Sequence, residues 1–352
     1  MDSLGSSLKV PIVQELAKEK LTAVPARYIR GGDDNITPSP DHLPPSTHIP
    51  IIDMHKLLHP DSSESELRNL HTACQQWGFF QLINHGAESS IIEKMKYEIQ
   101  EFFNLPSEEK DEFRQQAADV EGYGQAFVVS DEQTLDWGDM FFVTTLPPHL
   151  RKPHLIPKLP TAFRDSIEGY GAELKILAVK ILKFMAKSLG MELEEMEALF
   201  DQGTQSMRMN YYPPCPQPEL VTGLYPHSDA VGLTILLQVN EMEGLQIKKD
   251  GVWIPVSPLP DAFVINIGDV LEIITNGTYP SIEHRATVNR EKERLSIATF
   301  LNPKLEAEIG PAASLVGPKT PAKFKSIAGV DYYKGLFSQE LNGKSYLEIM
   351  RI

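Results

Sequence analysis

The sequence has few cysteines, no long apolar run and no apolar leader. Only Cys74 and Cys215 occur among 352 residues, too few for a disulfide framework and typical of a reducing compartment. No run of ~18 or more apolar residues is present, which excludes a transmembrane helix. Residues 1–20 lack an apolar segment behind a basic flank, so no signal peptide is expected. These absences predict a cytoplasmic protein.

Positive charge is also scarce. The chain has 33 Lys and Arg against 48 Asp and Glu, a formal net charge of −15. Such a chain repels nucleic-acid phosphates and anionic membrane surfaces, so neither is an expected partner. We expect a monomer that binds a small molecule.

The residue pattern divides the chain into four segments. An N-terminal extension is expected over residues 1–48, with a helix over 13–20 followed by a Pro-rich linker. Residues 49–200 form a mostly helical region, because apolar residues recur at spacings of three and four over 67–77, 92–102 and 167–200. Short apolar strands are expected at 49–53 and 79–83, which gives this region an α/β character.

The pattern changes to short strands between residues 201 and 305. Turn signals at 250–251, 268–269 and 276–277 separate these strands. Strands are predicted at 206–212, 233–239, 245–248, 252–256, 262–267, 270–275, 281–288 and 294–301. Such an array predicts a mixed α+β protein with a jelly-roll core, a double-stranded β-helix, flanked by helices. Residues 306–352 are expected to cover one end of this core, with short helices at 322–326 and 332–341.

Two histidines and an aspartate in the β-rich segment form a candidate metal site. His227 and Asp229 are two residues apart, so both side chains can project to one side of a strand end. His284 would come from a second strand. Two imidazoles and one carboxylate on one face of a metal ion are typical of non-haem Fe(II) oxygenases. The same ligands also suit the catalytic zinc of a hydrolase.

Arg294 and Ser296 add a candidate carboxylate-binding site. The planar guanidinium provides paired donors, and the hydroxyl two residues later lies on the same side of the predicted strand. A hydrolase would not need this pair, and no H-E-x-x-H sequence is present to supply a general base.

Several sequence motifs, taken together, resemble those of the plant 2-oxoglutarate- and Fe(II)-dependent dioxygenases. The matching motifs are residues 49–53 (IPIID), 77–86 (WGFFQLINHG), 210–215 (NYYPPC), 227–229 (HSD), 276–277 (NG), 284–285 (HR) and 294–300 (RLSIATF). Within that family the chain is similar to the SRG1-like branch that includes the thebaine and codeine O-demethylases. Four further stretches carry this similarity: 13–17, 119–125, 133–137 and 207–210.

The resemblance implies a role for each site residue. His227, Asp229 and His284 would hold Fe(II), and Arg294, Ser296, Tyr212 and Asn210 would bind the cosubstrate 2-oxoglutarate, with O2 as oxidant and ascorbate as reductant. The residues expected near the substrate are Phe127, Phe141, Arg208, Ser228, Leu233, Phe300 and Asn302.

The implied activity is oxidation of an aromatic plant specialised metabolite, an alkaloid or a phenolic, with release of succinate and CO2. Hydroxylation and O-demethylation are both open, because they differ only in the carbon that is attacked. Oxidation of a flavonoid or hormone by the same chemistry is the alternative within the family. A zinc hydrolase and a catalytically silent binding protein are the remaining alternatives.

Overall fold

The computed structural model describes residues 7–19, 21–31, 48–116, 119–336 and 343–352. Most of the Pro-rich linker, residues 38–47, and the last residues of the helix expected at 332–341 lie outside these ranges. Within them the chain forms the helices α1 (Val13–Lys18), α2 (Met54–Leu58), α3 (Pro60–Gln76), α4 (Ser89–Asn104), α5 (Ser107–Asp111), α6 (Thr161–Leu189), α7 (Leu193–Phe200), α8 (Asp269–Ile274), α9 (Gly329–Leu336) and α10 (Ser345–Ile349). None of these helices has both the length and the apolarity needed to cross a bilayer.

Eight strands form one large sheet. In chain order they are β1 (Ile51–Asp53), β2 (Phe79–Ile83), β3 (Gly122–Gly124), β4 (Asp139–Leu146), β5 (Gln205–Tyr212), β7 (Leu233–Gln238), β10 (Phe263–Ile267) and β12 (Arg294–Leu301). Their order across the sheet is β1-β2-β10-β7-β12-β5-β4-β3. Strands from before and after residue 200 therefore hydrogen-bond within one sheet. The four-segment division of the chain stays a prediction.

A second sheet of four strands lies across the site from the first. It consists of β6 (Leu224–His227), β8 (Leu245–Lys249), β9 (Val252–Pro255) and β11 (His284–Ala286), in the order β6-β11-β8-β9. A further pair, β13 (Glu308–Ile309) and β14 (Ile327–Ala328), follows near the C-terminus. The mixed α+β fold with a jelly-roll core, expected from the many short strands, is confirmed.

Helices α3 and α6 pack against the large sheet, and α4 packs against α6. The longest, α6, buries one stripe of apolar residues: Tyr170, Leu174, Leu177, Ile181 and Met185. It ends where Gly190 adopts a left-handed conformation with φ 66°, which a residue without Cβ tolerates best. The periodic pattern at 167–200 thus comprises two helices, α6 and α7, rather than one.

The N-terminal helix α1 is attached to the large sheet by Asp139. This residue begins β4, is buried, and accepts the backbone N–H of Val13 at 2.9 Å and that of Gln14 at 2.7 Å. These are orphan donors at the start of a helix, which a carboxylate satisfies well.

Two expectations about secondary structure are wrong. The apolar run at 270–275 forms most of α8 rather than a strand. A short run of buried apolar residues fits a buried helix as well as a buried strand, so the sequence pattern did not distinguish them. Here Gly268 packs against the backbone of Val231 and Asp229, with no room for a Cβ, and the chain turns into a helix. Residues 322–326 form no helix, and Phe324 instead bridges to Arg351.

Candidate active site

His227 and His284 face each other across two neighbouring strands of the small sheet. They are direct partners in the antiparallel pairing of β6 and β11, and their ring centroids lie 4.4 Å apart. Each Nδ1 contacts the carbonyl two residues earlier in the chain: Tyr225 O at 2.7 Å and Ile282 O at 3.1 Å. A carbonyl there accepts a proton from Nδ1, which leaves each Nε2 lone pair free to bind a metal.

Asp229 completes the group two residues after His227. Its Oδ1 lies 3.4 Å from the Nε2 of His227 and 3.6 Å from the Nε2 of His284. All three side chains are buried, and their ligand atoms lie within 4.8 Å of one another. Atoms that bind one metal ion at ~2.1 Å and at right angles lie roughly 3 Å apart, so the three residues fit a metal on one side.

Two donors hold the outer oxygen of Asp229. Oδ2 accepts the Thr234 hydroxyl at 2.6 Å and the Asn266 amide at 2.8 Å. Oδ1 is thereby turned toward the two imidazoles. Such supporting hydrogen bonds orient a metal ligand and tune its affinity.

The protonation states also suit a metal ion. Burial alone would raise the pKa of Asp229, but His284, His227 and the Thr234 hydroxyl outweigh it and hold that pKa far below its usual range. Burial lowers the pKa of His284 to about 4, against the opposing effect of Asp229. An ionised carboxylate and a neutral imidazole are the forms that bind metals.

Arg294 lies on β12, buried and without a carboxylate partner among the described residues. Its guanidinium donates to Gln238 Oε1 at 2.8 Å and makes a longer contact with Ser296 Oγ at 3.4 Å, while its Nε has no hydrogen-bond partner in this part of the chain. Gly244 leaves the space for this side chain, since a Cβ there would lie 2.7 Å from the Arg294 Cδ. A buried guanidinium with a free donor is suited to binding an anion, so Arg294 marks a candidate carboxylate site.

Tyr212 and Asn210 extend this anion site on the adjacent strand β5. Arg294 pairs with Tyr212 and Ser296 with Asn210 in the strand register. The Arg294 guanidinium carbon lies 5.3 Å from the centroid of the Tyr212 ring, and the Asn210 amide reaches Ser296 Oγ at 3.4 Å. Burial raises the pKa of Tyr212, so its phenol stays protonated and able to donate. All four residues expected to bind the cosubstrate therefore lie together.

A cavity of about 610 Å³ contains both the three ligands and the anion site. Its wall on the large sheet follows the alternation of the strands, since every second residue of β5 and β12 faces it. Arg208 lies one step beyond Asn210 and pairs with Ala298 on β12 and Phe142 on β4. Phe142 and Phe300 form an aromatic wall, with ring centroids 6.4 Å apart.

Five of the residues expected near the substrate line this cavity: Phe127, Arg208, Ser228, Phe300 and Asn302. Phe141 and Leu233 do not, and both are fully buried in the main core. Phe141 stacks on Phe102 with ring centroids 4.5 Å apart. Their neighbours Phe142 and Thr234 face the cavity instead, because adjacent strand residues point to opposite faces.

Several cavity residues were absent from the sequence prediction. Asn266 carried a usable signal, as a lone amide within the apolar strand β10. Lys152 and Asp119 form a 3.2 Å ion pair and line the cavity. Asp119 lies in the stretch 119–125 that resembles the SRG1-like branch, but neither residue was assigned a role in the site. Tyr333 of α9 lines it from the C-terminal segment.

Comparison with protein families matches two parts of the chain. The 2OG-Fe(II) oxygenase superfamily matches residues 203–303, which include the three ligands and the anion site. The N-terminal family described as non-haem dioxygenase in morphine synthesis matches residues 49–159.

Individual relatives match over nearly the whole chain. An oxoglutarate-dependent flavonoid 7-O-demethylase from Ocimum basilicum is 68% identical, over 99% of this chain and 93% of its own length. Codeine O-demethylase from Papaver somniferum is 51% identical, over 99% of this chain and 98% of its own. The crystal structure of JOX2 in complex with 2OG, Fe and JA superposes with a TM-score of 0.88 at 37% identity, covering 98% of each chain.

Proposed function

Because this chain belongs to the 2OG-Fe(II) oxygenase superfamily, we propose that it removes a methyl group from a methoxylated aromatic plant metabolite. The enzyme uses Fe(II), 2-oxoglutarate and O2. The proposal assigns the iron to His227, Asp229 and His284. The observation that carries it is the convergence of these ligands beside a buried Arg294, which has no carboxylate partner among the described residues, in one cavity.

The protein's contribution is placement. His227, Asp229 and His284 come from one side of the site, so an ion that they held would keep coordination positions for the cosubstrate and O2. Arg294, Ser296 and Tyr212 would bind the distal carboxylate of 2-oxoglutarate, which fixes its reactive end toward the metal. Asn210 would add a further hydrogen bond. Bound Fe(II) supplies the redox chemistry that couples decarboxylation of 2-oxoglutarate to oxidation of a substrate C–H bond.

Oxidation of a methoxy carbon completes O-demethylation without a further catalyst. The hydroxylated carbon is a hemiacetal, which collapses to a phenol and formaldehyde. In total, one methyl ether, one 2-oxoglutarate and one O2 give one phenol, one formaldehyde, one succinate and one CO2. Hydroxylation at another carbon would follow the same path and stop one step earlier.

A methoxylated flavonoid is the substrate we favour. The flavonoid 7-O-demethylase at 68% identity supports it, while codeine O-demethylase at 51% supports the alkaloid alternative. The aromatic wall of Phe142 and Phe300 suits a flat ring system. The Arg208 guanidinium, whose Nε donates to Asn210 Oδ1 at 2.8 Å, lines the cavity and offers donors to a substrate oxygen.

The experiment is a turnover assay with Fe(II), ascorbate and 2-oxoglutarate against a panel of methoxylated flavonoids, methoxylated alkaloids and their unmethylated forms. Mass spectrometry would separate loss of ~14 mass units, for demethylation, from gain of ~16, for hydroxylation. We expect demethylation of a flavonoid with equimolar formaldehyde and succinate. Turnover of alkaloids alone, or hydroxylation alone, would contradict the proposal. A zinc hydrolase would form no succinate.

We further propose that the enzyme acts as a cytosolic monomer without nucleic-acid or membrane partners. The net charge of −15 and the two buried, unpaired cysteines support this. Light scattering after size-exclusion chromatography and imaging of a fluorescent fusion would test it, and a stable dimer or an organelle location would contradict it.

A further inference from the structure

Residue 343 lies against the open edge of the strand that carries His227. In the small sheet β6 pairs with β11 on one side only. On the other side the N–H of Gly343 donates to Pro226 O, and its carbonyl accepts the N–H of Ser228, both at 3.0 Å. The backbone at His227 is thus held between His284 on one side and Gly343 on the other. An edge that would be unpaired is satisfied by the chain itself.

Glu272 in α8 anchors the residues that follow Gly343. Its side chain is 4% exposed and binds two cations, Lys344 Nζ at 2.8 Å and an Arg351 guanidinium nitrogen at 3.0 Å. Its Oε2 also accepts the backbone N–H of Ser281 at 2.7 Å, and Lys344 donates to Ser281 O at 2.7 Å. Ser281 lies three residues before His284 in the chain. The Glu272 carboxylate therefore links the C-terminal segment to the loop that leads into the strand of His284.

We infer that residues 343–351, held by Glu272, position the metal-binding histidines. Lys344 and Arg351 are positioning residues in this arrangement, because neither lines the cavity in the part of the chain that the structure describes. Both act through Glu272, and Lys344 also binds Ser281 O directly. A buried carboxylate that loses one of its cations is strongly destabilised, so the segment would loosen if either cation were removed. The two strands that carry His227 and His284 would then lose support at the same time.

The 2-oxoglutarate site should respond differently. Arg294, Ser296 and Tyr212 belong to β12 and β5 in the large sheet. Among the described residues, Lys344 and Arg351 form their ion pairs with Glu272 and Glu348 and none with this site. Weakening the anchor should therefore lower metal affinity more than cosubstrate affinity. A general loss of stability would affect both sites alike.

The test is a calorimetric titration of the Lys344→Met variant with Mn(II), a redox-stable probe for the iron site. We expect ~10-fold weaker Mn(II) binding, which is the lower end of the loss in metal affinity seen when residues that support metal ligands are replaced. The affinity for 2-oxoglutarate at saturating Mn(II) should be nearly unchanged. Lys344→Arg should restore most of the affinity. Lys183→Met, which breaks a 2.9 Å surface ion pair with Glu197, is the matched control and should bind Mn(II) like the parent.

Hydrogen exchange supplies a second readout, with faster exchange expected at residues 224–228 in Lys344→Met. If Lys344→Met does not fold, the same titration can be made with Arg351→Met. The Arg351 side chain is 39% exposed, so its replacement should disturb the fold less. Unchanged Mn(II) affinity with a lowered melting temperature would reduce the segment to a stabilising role and overturn the inference. Metal titration requires no substrate, so failure of the proposed demethylation would leave this result intact.

Discussion

Replacing Thr234 with valine is expected to weaken metal binding sharply while leaving the fold in place. The variant keeps the shape of the side chain and removes the 2.6 Å hydrogen bond to Asp229 Oδ2. A hydrogen bond to a charged group contributes ~1.5–3 kcal/mol. Since ~1.4 kcal/mol is a tenfold change in a binding constant, the loss corresponds to ~10- to 150-fold weaker Mn(II) or Fe(II) binding.

Asn266→Leu should have an effect of similar size, because it removes the other donor at 2.8 Å. Both donors bind one oxygen, so the double variant, which has neither donor, should lose more affinity than the sum of the two single losses. Anaerobic calorimetry with Mn(II) measures all three constants. The remaining donor partly holds the carboxylate in each single variant.

Thr145→Val is the matched control. It removes buried hydrogen bonds from the Thr145 hydroxyl to Gln205 Oε1 at 2.7 Å and to Gln205 O at 3.1 Å. Gln205 borders the cavity, but its side-chain hydrogen bonds in the described part of the chain go to Thr145 and Gly171 and not to Asp229. Metal affinity should be unchanged in this control, although its stability falls. If Thr234→Val bound Mn(II) as tightly as the control, the reasoning that Oδ2 contacts orient Asp229 would be refuted.

Three further predictions concern the anion site, the side of β4 that faces the cavity, and Asp139, which attaches α1 to the large sheet. Arg294→Met should weaken 2-oxoglutarate binding at saturating Mn(II) by ~2–5 kcal/mol, which is ~30-fold or more. Equal affinity of the variant and the parent by calorimetry would contradict the assignment of Arg294 to the anion site. Phe141→Ala should lower the free energy of unfolding in urea by ~3–5 kcal/mol, whereas Phe142→Ala should mainly raise the KM for the aromatic substrate; the reverse pattern would contradict the assigned faces. Burial raises the pKa of Asp139 from 3.8 to about 7, although the hydrogen bonds from Gln14 and Val13 act to lower it. Between these two pH values the folded state keeps a proton on Asp139 that the unfolded state releases. The free energy of unfolding therefore falls as the pH rises through this range. The melting temperature of the parent minus that of Asp139→Asn should therefore decrease from pH 5 to pH 8, and a constant difference would count against it.

The grouping of the candidate metal ligands could be predicted because two of them are close neighbours in the sequence. A strand with period two places His227 and Asp229 on one side, and a single later histidine within a strand-like run supplies the third ligand. Arg294 and Ser296 follow from the same rule. The resemblance between motifs added the cosubstrate that these residues would bind.

The cavity face could not be assigned with the same success. Phe141 and Phe142 are consecutive, as are Leu233 and Thr234, so composition alone does not tell which member of each pair points inward. The register of β4 against β5 and of β7 against β12 decides it, and a shift of one residue would reverse every side chain.

Tertiary contacts explain the other misses. The apolar run 270–275 could have been a strand or a buried helix, and its packing beside Asp229 makes it α8. Lys344 and Arg351 look like ordinary surface cations in the sequence, because Glu272 lies 72 and 79 residues away from them along the chain. Only the folded chain brings these charges together.

Succinate formation gives the most direct test of the central claim that three side chains hold iron while Arg294 binds the oxo-acid. With Fe(II), ascorbate, 2-oxoglutarate and a methoxylated flavonoid, the parent enzyme should form one succinate for each phenol produced. Asp229→Ala and His284→Ala should form almost none, and omission of 2-oxoglutarate should abolish product. Full oxidative turnover in either variant, or without the oxo-acid, would contradict the account.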